Sequence, residues 1–353
     1  MSDLPHEWIA LAVDPPRAYG PVPVSAVIRT TPDDFVVDEQ LGFEPNGTGP
    51  HALLRVRKRG ANTDWVAKQL ATLAGCRPMD IGYAGMKDRH AVTTQWFTVP
   101  LERAPAERRD AATWLDVAGE DFAVVEAHAH HRKLPRGALD ANRFELTLRD
   151  CRGDRDALEA RLKAISSAGV PNYFGPQRFG RGQSNLFPFL PSAEEGRRPR
   201  LGEYAMSAGR SLVFNAVLAE RVNVGTWNTL VPGDLANLDA RGSIFAVTDE
   251  DPTLPARVAA QDLHPTGPMA GGGAPTTTGD IQALEQRMFD AFPTVIEGLA
   301  RERMAQARRA LRLAVRDLTW SFETPDVLKL SFLLRSGGYA TTVLREIADV
   351  TEA

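Results

Sequence analysis

Gly82-Tyr83-Ala84-Gly85-Met86-Lys87-Asp88-Arg89-His90-Ala91-Val92-Thr93-Thr94-Gln95-Trp96-Phe97 reads as a strand, a polar loop and a second strand. The strand texture covers 80–84 and 93–99, and the second run closes at Pro100, which has no amide hydrogen for a ladder. Asp88 stands at the loop tip between Lys87 and Arg89, and cations on both sides favour an ionised carboxylate there. Taken alone, the segment reads just as well as a hairpin tip with solvated charges.

Working outward, 24–39 forms a strand, a turn at Pro32 and a second strand containing Phe35-Val36-Val37. Residues 51–57 alternate, with Leu54 and Val56 on one face. Asn62-Thr63-Asp64 offers capping oxygens to a helix through Leu73, with Trp65, Val66, Leu70 and Leu73 as its apolar stripe and Gly75 as its stop. Downstream, Phe144, Leu146 and Leu148 alternate with polar neighbours in a half-buried strand from Asn142. Asp154 then caps a helix through Ile165, with Leu158, Leu162 and Ile165 at helical spacing.

From Gly169 to about Pro191 the chain is loop-rich, and helices follow near 211–222 and 281–292. Between these helices, 270–279 is a Gly- and Thr-rich stretch with no core-forming residues, expected to be a flexible loop. An Arg-rich helix is expected to end near Arg309. Strand texture returns at Leu311, Leu313 and Val315 and at Leu328, Leu330 and Phe332; Gly337-Gly338 precede a closing helix with Val343, Leu344 and Ile347. Strands at both ends around a helical block predict an α+β domain interrupted by an insertion.

A length of 353 residues predicts about two domains, and 43% hydrophobic with 24% charged residues is the balance of a globular protein. No apolar run approaches the roughly 18 residues of a membrane span. The opening Met1-Ser2-Asp3-Leu4 lacks the basic and apolar regions of a signal peptide, and Cys76 and Cys151 are too few for a disulfide framework. The expectation is a reduced, cytoplasmic setting. A net charge of −4 argues against indiscriminate coating of nucleic acid but leaves room for local basic surfaces. Clusters of that kind stand at Arg55, Arg57, Lys58 and Arg59, at Arg132, Lys133 and Arg136, at Arg178 and Arg181, and from Arg301 to Arg316.

Gly169-Val170-Pro171-Asn172-Tyr173-Phe174-Gly175-Pro176-Gln177-Arg178-Phe179-Gly180-Arg181 is the second informative segment. Aromatics among Asn, Gln and Arg fit a loop that stacks on bases and contacts phosphates; they fit equally a loop whose rings plug the core. His128-x-His130-His131 invites a metal reading, but Arg132-Lys133 follow directly and no acid or cysteine partner is near in sequence. Two further readings remain open, a carboxylate-pair hydrolase using Asp88 and Asp80 and a non-catalytic RNA-binding protein.

The Asp88 segment resembles the signature of the TruD family of tRNA pseudouridine synthases, Ala84-Gly85-x-Lys87-Asp88-Arg89-His90-Ala91-Val92-Thr93 followed by Gln95-Trp96. The Val170–Gly180 run resembles a second element of that family. Further similar stretches are Pro32-Asp33-Asp34-Phe35-Val36-Val37, Asn62-Thr63 with Trp65-Val66-Ala67, Lys133-Leu134-x-x-Gly137-Ala138-Leu139, Asn142-x-Phe144 and Ala340-Thr341-Thr342-Val343-Leu344-Arg345-Glu346. They keep the family's order from about residue 25 to 348.

This resemblance implies an α+β fold: a catalytic domain with a mixed, mainly antiparallel sheet and flanking helices in 1–167 and 308–353, and an α/β insertion in 168–307. It implies isomerisation of uridine to pseudouridine in tRNA, at uridine 13, by a cofactor-free, metal-free monomer. Asp88 matches the aspartate on which the family depends, as nucleophile or base. Arg29 matches a cationic position filled by lysine in a relative, and a pairing with Asp88 would be bidentate. Phe144 matches an aromatic that stacks on the flipped base, with Asn142 beside it on the same strand face. Lys87, Arg89 and His90 shape the loop or contact phosphates, and Arg178 and Arg181 add RNA contacts from the insertion.

Overall fold

The computed structural model describes residues 4–190, 200–239, 242–247 and 251–353; the opening Met1-Ser2-Asp3 and Pro191 lie outside these. Compactness divides the chain into two units. One comprises Pro23–Arg155, Val315–Gly337 and Ala348–Ala353; the other comprises Met1–Val22, Asp156–Ala314 and Gly338–Ile347.

The first unit is built on a ten-stranded sheet. Its strands are β1 (Val24–Ile28), β2 (Phe35–Leu41), β3 (His51–Arg59), β4 (Gly82–Tyr83), β5 (Val92–Pro100), β6 (Phe122–His130), β7 (Leu139–Gly153), β8 (Arg316–Thr324), β9 (Val327–Arg335) and β10 (Asp349–Glu352). The main path runs β8-β9-β7-β2-β5-β3-β6, with β1 against β7 and β10, and β4 against β5. Only β2 with β5 and β1 with β10 run parallel. This is the mixed, mainly antiparallel sheet of the expected α+β class.

Cross-strand register fixes which side chains share a face. Lys58 stands opposite Thr93, Thr93 opposite Val37, Val37 opposite Phe144 and Phe144 opposite Phe332. These five therefore form one row across five strands. Glu39, Asn142 and Leu334 lie one row along on the same face.

The helix Thr63–Leu73 packs into the core around Leu54, Val56, Phe97 and Val124. Its bounds are those expected, but Asn62 makes no side-chain cap bond and Asp64 instead accepts from the Tyr83 hydroxyl. The expected stripe is also corrected. Trp65 and Leu73 are exposed, and the buried side is Val66, Ala67, Leu70 and Ala71, whose two largest members each contribute about 1.5–3 kcal/mol. β4 is shorter than expected because Pro78–Asp80 forms a turn of 3₁₀ helix, in which Asp80 accepts from the Arg77 amide.

In the second unit the long helix Glu203–Asn223 is central, buried along Leu212, Val213, Phe214 and Leu218. Trp8 of the helix His6–Val13 and Phe292, Val295 and Leu299 belong to the same core. Gly209 admits Phe189 so closely that a Cβ would sit 2.6 Å from the ring. The helix expected to end near Arg309 stops at Arg301, where the element is Pro293–Arg301, and Ala307–Ala310 is a strand paired with Thr266–Met269 of Leu263–Met269. Strand alternation is the physical reason, since it sends neighbouring arginines to opposite sides: Arg308 to Glu285 and Thr266, Arg309 to Asn172 and Phe174.

The 270–279 stretch forms no helix or strand before Gly279, yet it is tied down. The Gln306 amide donates to the carbonyls of Gly272, Gly273 and Ala274, and the Thr277 hydroxyl bonds Glu285. Among the described residues no helix is long and apolar enough to cross a membrane.

Candidate active site

The loop between β4 and β5 is clamped through its main chain. Thr63, at the start of its helix, accepts a hydrogen bond from the Lys87 amide at 3.0 Å and donates to Gln95 Oε1 at 3.0 Å. Gln95 in turn donates to the Gly85 carbonyl at 2.5 Å. Lys58 Nζ donates to the carbonyls of Asp88 at 3.1 Å and Ala61 at 2.7 Å. Lys58, Thr63 and Gln95 are all fully buried. The backbone of the loop is thus held by side chains of β3, β5 and a helix terminus, while the Asp88 carboxylate remains 55% exposed.

The cation facing that carboxylate is not one of its sequence neighbours. The Lys87 ammonium turns inward to the buried Glu39 carboxylate at 2.5 Å, and Arg89 and His90 are exposed. Arg29, which follows β1, donates instead through Nη2 to Asp88 Oδ2 at 3.1 Å, and through Nη1 to the Glu352 carboxylate next to β1. The pairing with Asp88 is therefore single, and the fork is shared between two acids rather than bidentate to one. The guanidinium lies 4.3 Å above the Phe35 ring, a cation–π contact. Arg29 holds this position with φ at +59°, a left-handed conformation costing an L-residue about 1–2 kcal/mol.

Phe35 meets Phe144 edge-on at 6.2 Å, and Phe144 stacks on Phe332 at 5.5 Å. A chain of contacts thus runs from Asp88 through Arg29 and Phe35 to Phe144. Asn142 shares the face of Phe144, across from Glu39. Two uncharged polar atoms on this face, Asn142 Oδ1 and Thr93 Oγ1, are buried without a hydrogen-bond partner.

Burial pushes the Lys58 ammonium down to about 8, with Asp88 opposing the shift and Lys87 adding to it. Asp80, the second acid of the hydrolase reading, is held by Arg77 and Arg103. His130 is buried and stacked on Phe43, His131 bonds Asn46 and His128 lies near Glu126. No group of three metal-ligating side chains is present among the described residues. The basic cluster on β3 is mostly neutralised, with Arg55 on Asp38 and Glu126 and Arg59 on Asp33.

Arg178 and Arg181 belong to the other unit. There Tyr173, Phe174 and Phe179 are buried as core plugs. Arg178 bonds Ser207 and Tyr339 and stacks on Phe174, while Arg181 is exposed. Burial lowers Arg309 to about 10, with Tyr339 opposing and Arg178 adding to the fall.

Sequence reasoning missed Lys58, Glu39, Thr63, Gln95 and Glu352 as parts of the site. Strand parity carried a signal for two of them: Lys58 follows Leu54 and Val56 at period two, and Glu39 follows Phe35 and Val37.

The family described as tRNA pseudouridine synthase D (TruD) matches residues 20–187 and 198–347. A protein of Methylococcus capsulatus named tRNA pseudouridine synthase D is 47% identical over 95% of this chain and 94% of its own length. A Xanthomonas axonopodis protein of the same name is 44% identical over 96% and 95%. The crystal structure of a putative tRNA pseudouridine synthase D from Methanosarcina mazei superposes with a TM-score of 0.74 over 99% of both chains at 20% identity, a likeness of fold. With a family match across most of its length and relatives at this identity, the chain belongs to the TruD family of tRNA pseudouridine synthases.

Proposed function

We propose that the chain isomerises uridine to pseudouridine in tRNA, at position 13, with Asp88 as the reacting carboxylate. The bond from ribose C1′ to uracil N1 breaks, a bond from C1′ to C5 forms, the C5 proton leaves and N1 gains one. Substrate and product are isomers, so the balance calls for no redox partner or group donor.

The observation that carries this reading is the clamped loop: a fixed main chain presenting an accessible carboxylate to Arg29. A carboxylate acting as nucleophile or as base must be held in one orientation toward the substrate, and the guanidinium donating to it at 3.1 Å does so. The target nucleotide leaves its stack, and the aromatic face around Phe144 replaces the lost stacking. Asn142 Oδ1 offers an acceptor to the uracil edge. Arg89, His90, Arg178 and Arg181 contact phosphates, while Lys87 shapes the loop from its seat on Glu39. In this reading 1–167 and 308–353 are the catalytic part and 168–307 an RNA-contacting insertion, and the enzyme works as a monomer in the cytoplasm.

The test is tritium release from tRNA labelled at uridine C5. Wild type is expected to release it and Asp88→Asn to release none; tRNA binding without release would leave only an RNA-binding protein. Mapping pseudouridine in tRNA from cells lacking the protein is expected to show the loss at position 13, and loss elsewhere would overturn that site.

A further inference from the structure

We propose that Lys58 is a positioning residue for Asp88, a buried cation that anchors the main chain of the reacting residue to the sheet. The inference rests on the role given to Asp88 above.

Lys58 is 1% exposed. Taking an ammonium out of water is costly, and proteins ordinarily offset the cost with a carboxylate. Among the described residues none lies within ion-pair distance of Lys58 Nζ; the buried acid on this face, Glu39, is bonded to Lys87. Lys58 spends its donors on two carbonyls instead. One belongs to Ala61, just before the helix Thr63–Leu73, and the other to Asp88. A buried charge committed to the backbone of the reacting residue is a costly arrangement that packing alone does not call for.

Its place in the sheet says what the anchor achieves. Lys58 and Phe144 stand in one row of one face, three strand spacings or about 14 Å apart. The stacking ring and the anchor of the carboxylate are thereby referred to the same rigid frame. A misplacement of about 1 Å at a reacting group is enough to lower a rate on the order of 10²-fold.

The charge state is open to titration. Burial brings the Lys58 ammonium to about 8, with Asp88 opposing and Lys87 adding to the fall. The other charged groups here are paired, Lys87 with Glu39 and Arg29 with Asp88 and Glu352, and the residues opposite Lys58 on β5 and β6 are the uncharged Thr93 and Phe122. An ammonium makes charge-assisted bonds to both carbonyls; a neutral amine keeps two donors but bonds more weakly, so deprotonation loosens the anchor.

The experiment measures steady-state tritium release from C5-labelled tRNA between pH 6.5 and 9.5 for wild type, Lys58→Met and Lys58→Gln, with melting temperatures alongside. A wild type that releases no tritium defeats the proposed function and not this inference alone. With an active wild type, the rate is expected to fall as pH rises through about 8. Lys58→Met is expected to lose on the order of 10²-fold in kcat with KM nearly unchanged, and to lose the basic limb. Lys58→Gln keeps a donor without a charge, and is expected to fall between the two and also to lack the limb. A folded variant of either kind with kcat within about threefold of wild type overturns the proposal, as does a basic limb that survives in both. Should Lys58→Met not fold, Lys58→Gln and the wild-type profile decide it.

Discussion

At the scale of single residues, Arg29 shows how a sequence can name a side chain and leave its geometry hidden. A cation near Asp88 was expected, but the share taken by Glu352 was not, because Glu352 lies 323 residues further along and reaches the site only through the parallel pairing of β10 with β1. Lys58 and Glu39 are the reverse case. Both were legible as inward positions by strand parity, yet their charge makes them read as surface. If the guanidinium fixes the orientation of the Asp88 carboxylate, Arg29→Met should lower kcat on the order of 10²-fold with little change in KM. Arg29→Lys keeps the charge but cannot divide a fork between Asp88 and Glu352, and should lose about tenfold. Steady-state tritium release measures both, and wild-type kcat in Arg29→Met would remove Arg29 from the mechanism.

At the scale of elements, the helix Thr63–Leu73 was found at its expected bounds because apolar spacing and Gly75 mark them locally. Its work at the N-terminus was not legible. Thr63 reads as ordinary capping chemistry, whereas its hydroxyl joins the Lys87 amide to Gln95, contacts 24 and 32 residues away. The strand Ala307–Ala310 was missed for a related reason, since four residues rich in arginine carry too little alternation to outweigh a neighbouring helix. Replacing Thr63 with valine keeps the shape and strands a buried amide hydrogen and a buried amide oxygen, each costing about 1–3 kcal/mol when unpaired. Thr63→Val should therefore lower the unfolding free energy by about 2–6 kcal/mol and slow turnover, as the loop loses a tether. A urea titration measures the first effect; an unchanged midpoint would mean that the Thr63–Gln95 link does not hold the loop.

At the scale of the whole molecule, strand texture at both ends of the chain disclosed an α+β unit closed by distant segments, as β9 beside β7 and β10 beside β1 now realise. The grouping of Met1–Val22 and Gly338–Ile347 with the second unit was not readable, because it depends on packing such as Trp8 against Phe292 rather than on any local pattern. The proposed division of labour follows from where the cations stand. Asp88, Arg29, Asn142 and Phe144 all belong to one unit, and Arg178 and Arg181 to the other. For a chain of net charge −4, phosphate contacts must come from particular exposed arginines rather than from a general field. Arg181 is exposed, whereas Arg178 is engaged with Ser207, Tyr339 and Phe174. Arg181→Ala should weaken tRNA binding and reduce the slope of log Kd against log salt by about one, while leaving kcat at saturating tRNA unchanged. Arg178→Ala should weaken binding and in addition lower the melting temperature, since it empties a position bonded to Ser207 and Tyr339. Filter binding across a salt series, with melting curves alongside, separates the two, and an Arg181→Ala slope equal to wild type would take this arginine out of the RNA interface.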